Sequence, residues 1–500
     1  MDGAATGWAR HLPAGVSAAT LDLTAAGSLP AAWTKAWAAD PSRATLGDGS
    51  RWLQASELEE RTRRVAGRYH AAGLVPGDRI VISALPSLDL VVAHVAALRA
   101  GLVVVPVNAA YREREVGVIA RDCAPAAAVV ADAAMGRWIA DASPRAVVAC
   151  GPDVALADGA VDTIDAVAPD DTAMLCYTSG TTGAPKGARL THANVLASPE
   201  ALRLAWRWTP EDRLVLALPL FHMHGLGVGL HGTLLAGASA LLVPRFDPDT
   251  VLDAARAEHG TLFFGVPTMY ERLARSTRVS ELARLRLCVS GSAPLAPTLC
   301  EQFHDTAGVD VLERYGMTET LMTVSNPYDG ERRAGTVGFP LPGIDLRLGD
   351  GDEILVRGPN VFPGYWERPD ANAEAFSTDA TGARWFHTGD IGAHDADGYL
   401  AIVGRAKELI ISGGFNVYPR EVEDVLRDHA GVADVAVIGT PSDEWGEVVT
   451  AVVVADGALD TDALLAFAAE QLAPYKRPRV VRVVDELPRN ALGKVLRHEL

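Results

Sequence analysis

Short apolar segments alternate with helix-length amphipathic segments from residue 79 to residue 289, and this alternation constrains the fold most. Apolar runs at 79–83, 102–107 and 127–131 are separated by helical periodicity at 88–99 and 112–122, and the same rhythm returns after residue 214. Strands that alternate with helices in this way form mostly parallel sheets with helices on both faces. We therefore predict an α/β fold whose large N-terminal region consists of helix-covered, mostly parallel sheets.

The pattern changes near residue 350, where short strands separated by Gly, Pro and Asp replace the longer alternation. A helix at 419–427 and further short strands follow, and this mixture of elements is typical of a small α+β unit. We place the joint just after the string GRAK at 404–407. Residues 1–405 are then predicted to form a large domain, and residues 406–500 a small, mobile C-terminal α+β domain.

The charge balance excludes one class of partner. Among 500 residues, 45 lysines and arginines against 63 aspartates and glutamates leave a net charge of −18. Because nucleic-acid binders present a basic face, we expect no nucleic-acid partner. The five cysteines are scattered without a C-x-x-C pair, which argues against a disulfide framework or a thiolate zinc site and favours a reducing, cytoplasmic location.

One stretch has the length and apolar character of a membrane span. Residues 214–244 contain no Asp, Glu, Lys or Arg, and a span needs about 20 such residues. Three histidines, Pro219 and repeated glycines interrupt the stretch, as is typical of strand, loop and buried helix in succession. The opening residues also lack the regions of a secretory signal. We therefore expect no integral membrane association.

The most specific string in the chain is YTSGTTGAPKG at 177–187. It follows a predicted strand at 172–177 and precedes a helix that we expect to begin near Thr191. Glycines let backbone N–H groups turn inward, while hydroxyls and a lysine can surround phosphate oxygens. The string lacks the Gly-Lys-Ser/Thr of a Walker loop. The candidate phosphate-binding residues are Thr178, Ser179, Gly180, Thr181, Thr182, Gly183 and Lys186.

This loop resembles the phosphate-binding signature of the adenylate-forming superfamily, which comprises acyl-CoA synthetases, adenylation domains and luciferases. Further motifs follow in the family's order, so that the resemblance covers residues 50–500: YGMTE at 315–319, TGD at 388–390, GRAKE at 404–408, SGGFNV at 412–417 and PRNALGK at 488–494. The resemblance implies an acid–thiol ligase that joins a carboxylate to the α-phosphate of ATP with Mg²⁺, expels pyrophosphate, and transfers the acyl group to coenzyme A.

The resemblance also implies roles for residues around the nucleotide. Glu319 would hold Mg²⁺, with Thr318 beside it on the phosphates. Asp390 and Arg405 would bind the ribose hydroxyls. The adenine would be bordered by Ser292, Ala293, Pro294, Glu313 and Tyr315.

Two lysines of the C-terminal region have implied roles as well. An anion that attacks an anion needs charge neutralisation and alignment more than it needs a nucleophile on the protein. Lys494 would enter from the small domain and stabilise the adenylation transition state. Lys407 would be the hinge about which that domain rotates between adenylation and thioester formation.

A histidine and an arginine are the candidate residues for binding the acyl group. His222, in the string PLFHMHG, matches the family's aromatic or histidine gate beside the acyl pocket. Arg314 stands just before YGMTE, where many relatives carry a small or neutral residue. A guanidinium at the base of the pocket can bind a second substrate carboxylate bidentately. The strings around Arg314 resemble those of malonyl-CoA synthetases. Arg245 is a second candidate for a substrate carboxylate, and Ser290 and Met317 complete the expected acyl site.

We therefore predict an AMP-forming synthetase of malonyl-CoA or methylmalonyl-CoA, acting as a monomer or homodimer on a small carboxylate, ATP and coenzyme A. If Arg314 instead pairs with an acid such as Glu313, a short- or medium-chain fatty acyl-CoA synthetase is the alternative. An enzyme that loads a carrier protein is a further alternative. A nucleotide-binding regulator without catalysis is disfavoured by the intact set Lys186, Glu319, Asp390, Arg405 and Lys494.

Overall fold

The computed structural model describes residues 7–150, 164–178, 185–412, 415–442, 445–491 and 493–500. Two large sheets of mostly parallel strands carry helices, a smaller antiparallel sheet follows, and a separate sheet occupies the C-terminal residues. The predicted α/β fold class with a small C-terminal α+β unit is confirmed.

One large sheet contains the predicted alternation at 79–131. Its pairings are parallel except at one edge, where Lys186–Thr191 lies antiparallel to both of its neighbours. Across the sheet, the strands are Gly364–Tyr365, Lys186–Thr191, Thr172–Thr178, Val103–Pro106, Arg79–Ser83, Ala127–Val130 and Val147–Cys150.

The other large sheet is parallel through its centre and antiparallel at both edges. The strand Leu312–Met317 lies where the parallel part gives way to an antiparallel hairpin. Across the sheet, the strands are Phe339–Pro340, Leu321–Ser325, Leu312–Met317, Leu287–Ser290, Leu262–Gly265, Arg213–Leu216, Ser239–Leu242, Ala44–Gly47 and Trp52–Gln54.

Sheet membership changes between Arg405 and Ile410. The third sheet is antiparallel and consists of Asp345–Leu348, Glu353–Arg357, Phe376–Thr378, Arg384–His394 and Leu400–Arg405. The fourth consists of Ile410–Ser412, Phe415–Val417, Val432–Ser442, Gly446–Ala455 and Val480–Val484.

Helices cover both large sheets, and two pack on the C-terminal sheet. The α-helices of the described residues are Leu29–Ala39, Ala55–Ala71, Leu88–Arg99, Glu113–Cys123, Ala133–Ala142, His192–Ala205, His231–Ala236, Pro248–Ala257, Pro267–Ala274, Pro297–Ala307, Pro369–Ala375, Pro419–Arg427 and Thr461–Gln471.

A continuous apolar core joins the two large sheets. The helix Leu88–Arg99 lies in it, and all of its residues except Asp89 are buried. A helix that is apolar on every side is stable only when it is enclosed, and each fully buried Leu or Val contributes about 1.5–3 kcal/mol. This core fixes the ends of the strands from which the site residues project.

The segment after the phosphate-binding string differs from the sequence expectation. The helix begins as predicted, with Thr191 as N-cap and His192 as first residue. The residues Lys186–Thr191 before it form a strand that pairs antiparallel with Thr172–Thr178. The string therefore joins two strands rather than a strand and a helix. The second strand was not predicted because this short segment with Lys and Gly lacks a strong apolar pattern.

The uncharged stretch 214–244 divides into short elements. The strands Arg213–Leu216 and Ser239–Leu242 flank a π-helical turn at His224–Leu230 and the helix His231–Ala236. Among the described residues, none of the helices combines the length and apolarity that crossing a membrane requires.

Candidate active site

A cavity of about 290 Å³ lies between the large N-terminal region and the C-terminal residues. Its walls are the ends of strands from different sheets together with a hairpin near the C-terminus, so residues distant in sequence meet there. Nine of the residues singled out from the sequence line it: Ser292, Ala293, Pro294, Glu313, Arg314, Tyr315, Asp390, Arg405 and Lys494.

An aspartate, a tyrosine and an arginine form a connected group on one wall. Asp390 and Arg405 are cross-strand partners, and Arg405 Nε lies 2.8 Å from the carboxylate of Asp390. The hydroxyl of Tyr315 donates to the other carboxylate oxygen at 2.6 Å. Burial and the charge of Asp390 raise the pKa of Tyr315 well above its usual value. Tyr315 is therefore a neutral donor, and the Asp390 carboxylate keeps lone pairs for further donors.

A second carboxylate, that of Glu319, lies two residues after the end of the strand Leu312–Met317. It is buried, and its Oε1 accepts from Tyr365 Oη at 3.0 Å and from Thr178 Oγ1 at 3.4 Å. Burial raises the pKa of Glu319, so a nearby cation would stabilise its ionised form. A carboxylate of this kind suits Mg²⁺, which commonly binds one or two carboxylates and completes its shell with phosphates and water. Lys186 lies close by, with Nζ 5.3 Å from the centre of the Tyr365 ring.

Other residues of the predicted phosphate site are placed only in part. Thr318 is half-buried in the turn between Met317, at the end of its strand, and Glu319. The candidates Ser179, Gly180, Thr181, Thr182 and Gly183 lie outside the described residues. Their flanks, Thr178 and Lys186, are neighbours across the antiparallel strand pair.

The buried guanidinium of Arg314 is the least satisfied group in the cavity wall. The residue is 3% exposed, and Nε and Nη2 have no hydrogen-bond partner among the described residues. Burial lowers the pKa of Arg314 to about 9, so it is still charged at neutral pH. A Cβ on Gly291 would lie 2.3 Å from Arg314 Cζ, which leaves the guanidinium its place only because residue 291 is glycine.

Two histidines lie within electrostatic range of this guanidinium. Burial and the charge of Arg314 lower the pKa of His222 to about 4 and hold the pKa of His224 well below its usual value, so both are neutral at pH 7. His224 Nδ1 lies 3.3 Å from Ser292 Oγ, and its buried Nε2 has no partner among the described residues. Ser290 is buried with its hydroxyl likewise unpartnered. Arg314 lines the cavity, whereas His222, His224 and Ser290 are not among its lining residues. The unpartnered polar atoms of Arg314 are the ones that a polar ligand in the cavity could satisfy.

Glu313 does not neutralise Arg314 through an ion pair. Successive residues of a strand point to opposite faces of the sheet, and no ion pair joins these two among the described contacts. Glu313 Oε1 accepts from the backbone N–H of Leu295 at 3.0 Å, and Oε2 is buried without a partner. Burial raises the pKa of Glu313 to about 7. This carboxyl group is therefore poorly suited to hold Arg314 as a structural partner.

Lys494 reaches the cavity on a tight hairpin. Asn490 N–H donates to the Lys494 carbonyl, Lys494 N–H donates to Asn490 Oδ1, and Arg489 pairs with Val495 in an antiparallel bridge. Gly493 has a φ of +78°, and a Cβ there would lie 2.7 Å from the side chain of Thr268. Burial and the charge of Arg405 lower the pKa of Lys494. The hairpin therefore presents an ammonium group to the cavity from the C-terminal side.

Arg245, the second candidate for a substrate carboxylate, does not line the cavity that contains Arg314. It is exposed and lines a separate cavity of about 330 Å³, which also contains Phe246 and Arg272 and shares only Thr268 with the first.

Lys407 lies away from the cavity lining. It is exposed in the turn Ala406–Glu408, between the third and fourth sheets.

Two further side chains, which were not predicted as site residues, contact the predicted ones. Tyr365, which donates to Glu319, lies on a two-residue edge strand with no motif around it. His224 lies two residues after His222, and glycines recur at every second position of the following π-helical turn. Because such turns concentrate at functional sites, this glycine spacing was the available signal for His224. Among the described residues, no cluster of three potential metal ligands includes either histidine.

Comparison with known proteins places this arrangement in a family. The sequence profile described as AMP-binding enzyme matches residues 33–366, and that of the AMP-binding enzyme C-terminal domain matches residues 421–494. A feruloyl-CoA synthase from Amycolatopsis sp. is 38% identical over 486 residues, covering 92% of this chain and 96% of that protein.

Solved structures agree with that placement. ATP-bound MatB from Rhodopseudomonas palustris matches with a TM-score of 0.88 and 40% identity, covering 94% of this chain and 98% of that chain. A malonyl-CoA ligase ternary product complex with methylmalonyl-CoA and AMP bound matches with a TM-score of 0.66 and 41% identity, covering 90% of this chain and 98% of that chain.

Arg314→Met is expected to raise the thermal unfolding midpoint of the ligand-free protein. Methionine fills a similar volume and removes buried donors whose lack of partners costs about 1–3 kcal/mol. The matched control is Arg99→Met. Arg99 is equally buried but binds Asp165 bidentately at 2.8 and 2.9 Å, so its loss should lower the midpoint. Calorimetry decides, and a lower midpoint for both variants would mean that Arg314 is a structural arginine.

Proposed function

The chain belongs to the AMP-binding enzyme family and is an acyl-CoA ligase, and from that premise we propose that its acid substrate is a small dicarboxylate, malonate or methylmalonate. One carboxylate is activated as an acyl-adenylate, and the other binds Arg314. The acyl group then passes to the thiol of coenzyme A.

The buried, unpartnered guanidinium of Arg314 carries this proposal. An uncompensated charge inside a protein is unfavourable, and a carboxylate opposite it relieves the penalty through charge-assisted hydrogen bonds. A monocarboxylate must use its only carboxylate for adenylation and leaves Arg314 unpaired. A dicarboxylate satisfies both requirements at once.

The position of Arg314 is compatible with a short diacid. Arg314 lines the same cavity as Tyr315, Asp390 and Arg405, the residues proposed to bind the nucleotide. A carboxylate held by Arg314 would therefore share one cavity with the acid group that is activated.

Charge neutralisation is the main task of the residues around the reacting atoms. The carboxylate oxygen attacks the α-phosphorus, and the bond to pyrophosphate breaks. Lys494 stabilises the charge that develops in this transition state, and Lys186 binds the phosphates. Asp390 and Arg405 hold the ribose, and Tyr315 lies against the adenine.

Glu319 is the residue that would hold Mg²⁺. When bound, the ion supplies charge neutralisation for the phosphate oxygens. The hydroxyls of Tyr365 and Thr178 orient the Glu319 carboxylate, and Thr318 precedes Glu319 in the turn after the strand Leu312–Met317.

Transfer to the thiol requires access to the same acyl carbon. Lys407 lies in the only short connection between the third and fourth sheets of the described chain, a position where a few backbone angles can absorb a rotation of the small domain. In this proposal Lys407 is the hinge, and His222 is the gate beside the acyl group.

A monocarboxylate ligase is the second candidate, and the similarity to a feruloyl-CoA synthase favours it. In that case the space beside Arg314 would be filled by water or by a neutral polar group. A carrier-protein thiol as acceptor is distinguished by replacing coenzyme A with a phosphopantetheinylated carrier protein in the same assay.

Arg314→Met is expected to lower kcat/KM for malonate by at least about 30-fold, since truncating one partner of a buried charge pair costs about 2–5 kcal/mol. The kcat/KM for butyrate should change far less. Arg314→Lys keeps the charge but cannot bind a carboxylate bidentately, so its kcat/KM for malonate should lie between those of the wild type and Arg314→Met. AMP formation in the presence of ATP, Mg²⁺ and coenzyme A measures all three.

Arg245→Met is the control for this series. Because Arg245 lies in a different cavity, its loss should leave the malonate-to-butyrate ratio unchanged. If Arg314→Met reduces activity on malonate and butyrate in parallel, the dicarboxylate proposal is wrong.

Lys494→Ala is expected to slow adenylation by about 100- to 1000-fold, the scale seen when one preorganised donor to a developing charge is removed. ATP binding should survive. Lys476→Ala is the matched control, because Lys476 pairs with Glu421 and does not line the cavity. Acid-dependent ATP–pyrophosphate exchange and nucleotide titration measure the two quantities, and undiminished exchange would remove the proposed role of Lys494.

A further inference from the structure

We propose that Arg497 is a positioning residue for Lys494: by binding Glu408 and Glu423 it fixes the C-terminal hairpin and keeps the Glu408 carboxylate away from the Lys494 ammonium group. Adenylation then depends on Arg497, whereas transfer of a preformed acyl-adenylate to coenzyme A does not. The inference rests on the role proposed above for Lys494.

Arg497 joins three segments of the C-terminal region. Its Nη1 lies 2.8 Å from Glu408 Oε2, and its Nη2 lies 2.7 Å from Glu423 Oε1. Glu408 belongs to the turn directly after Lys407, whereas Glu423 lies on the helix Pro419–Arg427. The guanidinium therefore ties the tail to the hinge turn and to the body of the small domain.

The Glu423 end of this connection is rigid. Glu423 is buried, and its Oε1 also accepts from the backbone N–H of Val437 at 2.8 Å. The helix and the strand Val432–Ser442 thus orient the carboxylate before Arg497 binds it. A planar guanidinium can bridge two carboxylates at once, whereas an ammonium group provides one compact charge.

Glu408 is the acid that competes for Lys494. Glu408, Lys494 and Arg497 line the same cavity, and Lys494 forms no ion pair within the described part of the chain. In the observed arrangement the Glu408 carboxylate is bound to Arg497. If Arg497 is removed, Glu408 loses that partner and the nearby ammonium group becomes its alternative, which withdraws Lys494 from the phosphates.

Arg497→Met is expected to lower the rate of acid-dependent ATP–pyrophosphate exchange by about 10- to 100-fold, the scale of a misplaced catalytic group, with the KM for ATP little changed. Thioester formation from supplied malonyl-adenylate and coenzyme A should proceed at the wild-type rate. Arg497→Lys, which can keep one of the two ion pairs, should recover part of the exchange activity.

The double variant Glu408→Gln/Arg497→Met separates positioning from general stability. Glutamine cannot form an ion pair with Lys494, so the double variant should exchange faster than Arg497→Met alone. No recovery in the double variant, or an equal loss in both half-reactions, would overturn the inference.

Arg482→Met is the matched control for loss of a tail contact. Arg482 Nη2 donates to the carbonyl of Leu500 at 2.6 Å, so it anchors the same tail without touching Glu408, and exchange should stay at the wild-type rate. Lys494→Ala, assayed in parallel, separates the two claims. If its exchange is undiminished, the role of Lys494 fails; if only Lys494→Ala is impaired and Arg497→Met is not, the inference alone fails.

Discussion

The charge of Arg314 inside the protein is the constraint on which the rest of the site depends. Its Nε and Nη2 are buried without partners, Gly291 leaves room for the guanidinium, and the neighbouring histidines are neutral. Protein interiors rarely leave such groups unsatisfied unless a ligand completes them. We therefore interpret the unpartnered guanidinium as part of the proposed site for a second substrate carboxylate.

A single strand supplies several of the proposed site residues. Arg314, proposed to bind the acid, and Tyr315, proposed to bind the nucleotide, both lie on Leu312–Met317 and line the cavity, and Glu319 lies in the turn after it. Gly316 permits this arrangement, because a Cβ there would lie 1.9 Å from the carbonyl oxygen of Leu321 in the facing strand. The backbone of this hairpin thus sets the distance between the acid and the nucleotide.

The C-terminal region completes the cavity with charges of its own. Lys494 faces Arg405 and Asp390 across the cavity, and the connection from Arg497 to Glu408 relates the tail to the turn that holds Lys407. The position of the hairpin that carries Lys494 is therefore linked to the position of the small domain. Under the hinge role proposed for Lys407, a rotation there would carry the ammonium group with it, so that one movement would both end adenylation and open the acyl carbon to a thiol.

The sequence predicted those features that are local or carried by motifs. The helix Leu88–Arg99 and the strand Arg79–Ser83 have the predicted bounds because an apolar run of given length and period specifies an element directly. The motif residues Tyr315, Asp390 and Lys494 meet in one cavity, as the family resemblance implied.

Features that depend on tertiary placement were not predictable in this way. The strand Lys186–Thr191 is held between its two neighbouring strands rather than by an apolar pattern of its own. Arg245 lies in a second cavity. This location was not predictable, because the local sequence around an arginine does not indicate which cavity its side chain lines. The contacts of Tyr365 with Glu319 and of Arg497 with Glu408 join residues far apart in the chain that no motif links.

The central claim is that the protein selects acids with a second carboxylate close to the first. The most direct test is the rate of coenzyme A-dependent AMP formation by the wild-type protein with malonate, methylmalonate, succinate, acetate, butyrate, octanoate and ferulate. The account predicts that malonate or methylmalonate exceeds every monocarboxylate in kcat/KM by at least about tenfold, equivalent to 1.4 kcal/mol. Butyrate, octanoate or ferulate as the best substrate would contradict it.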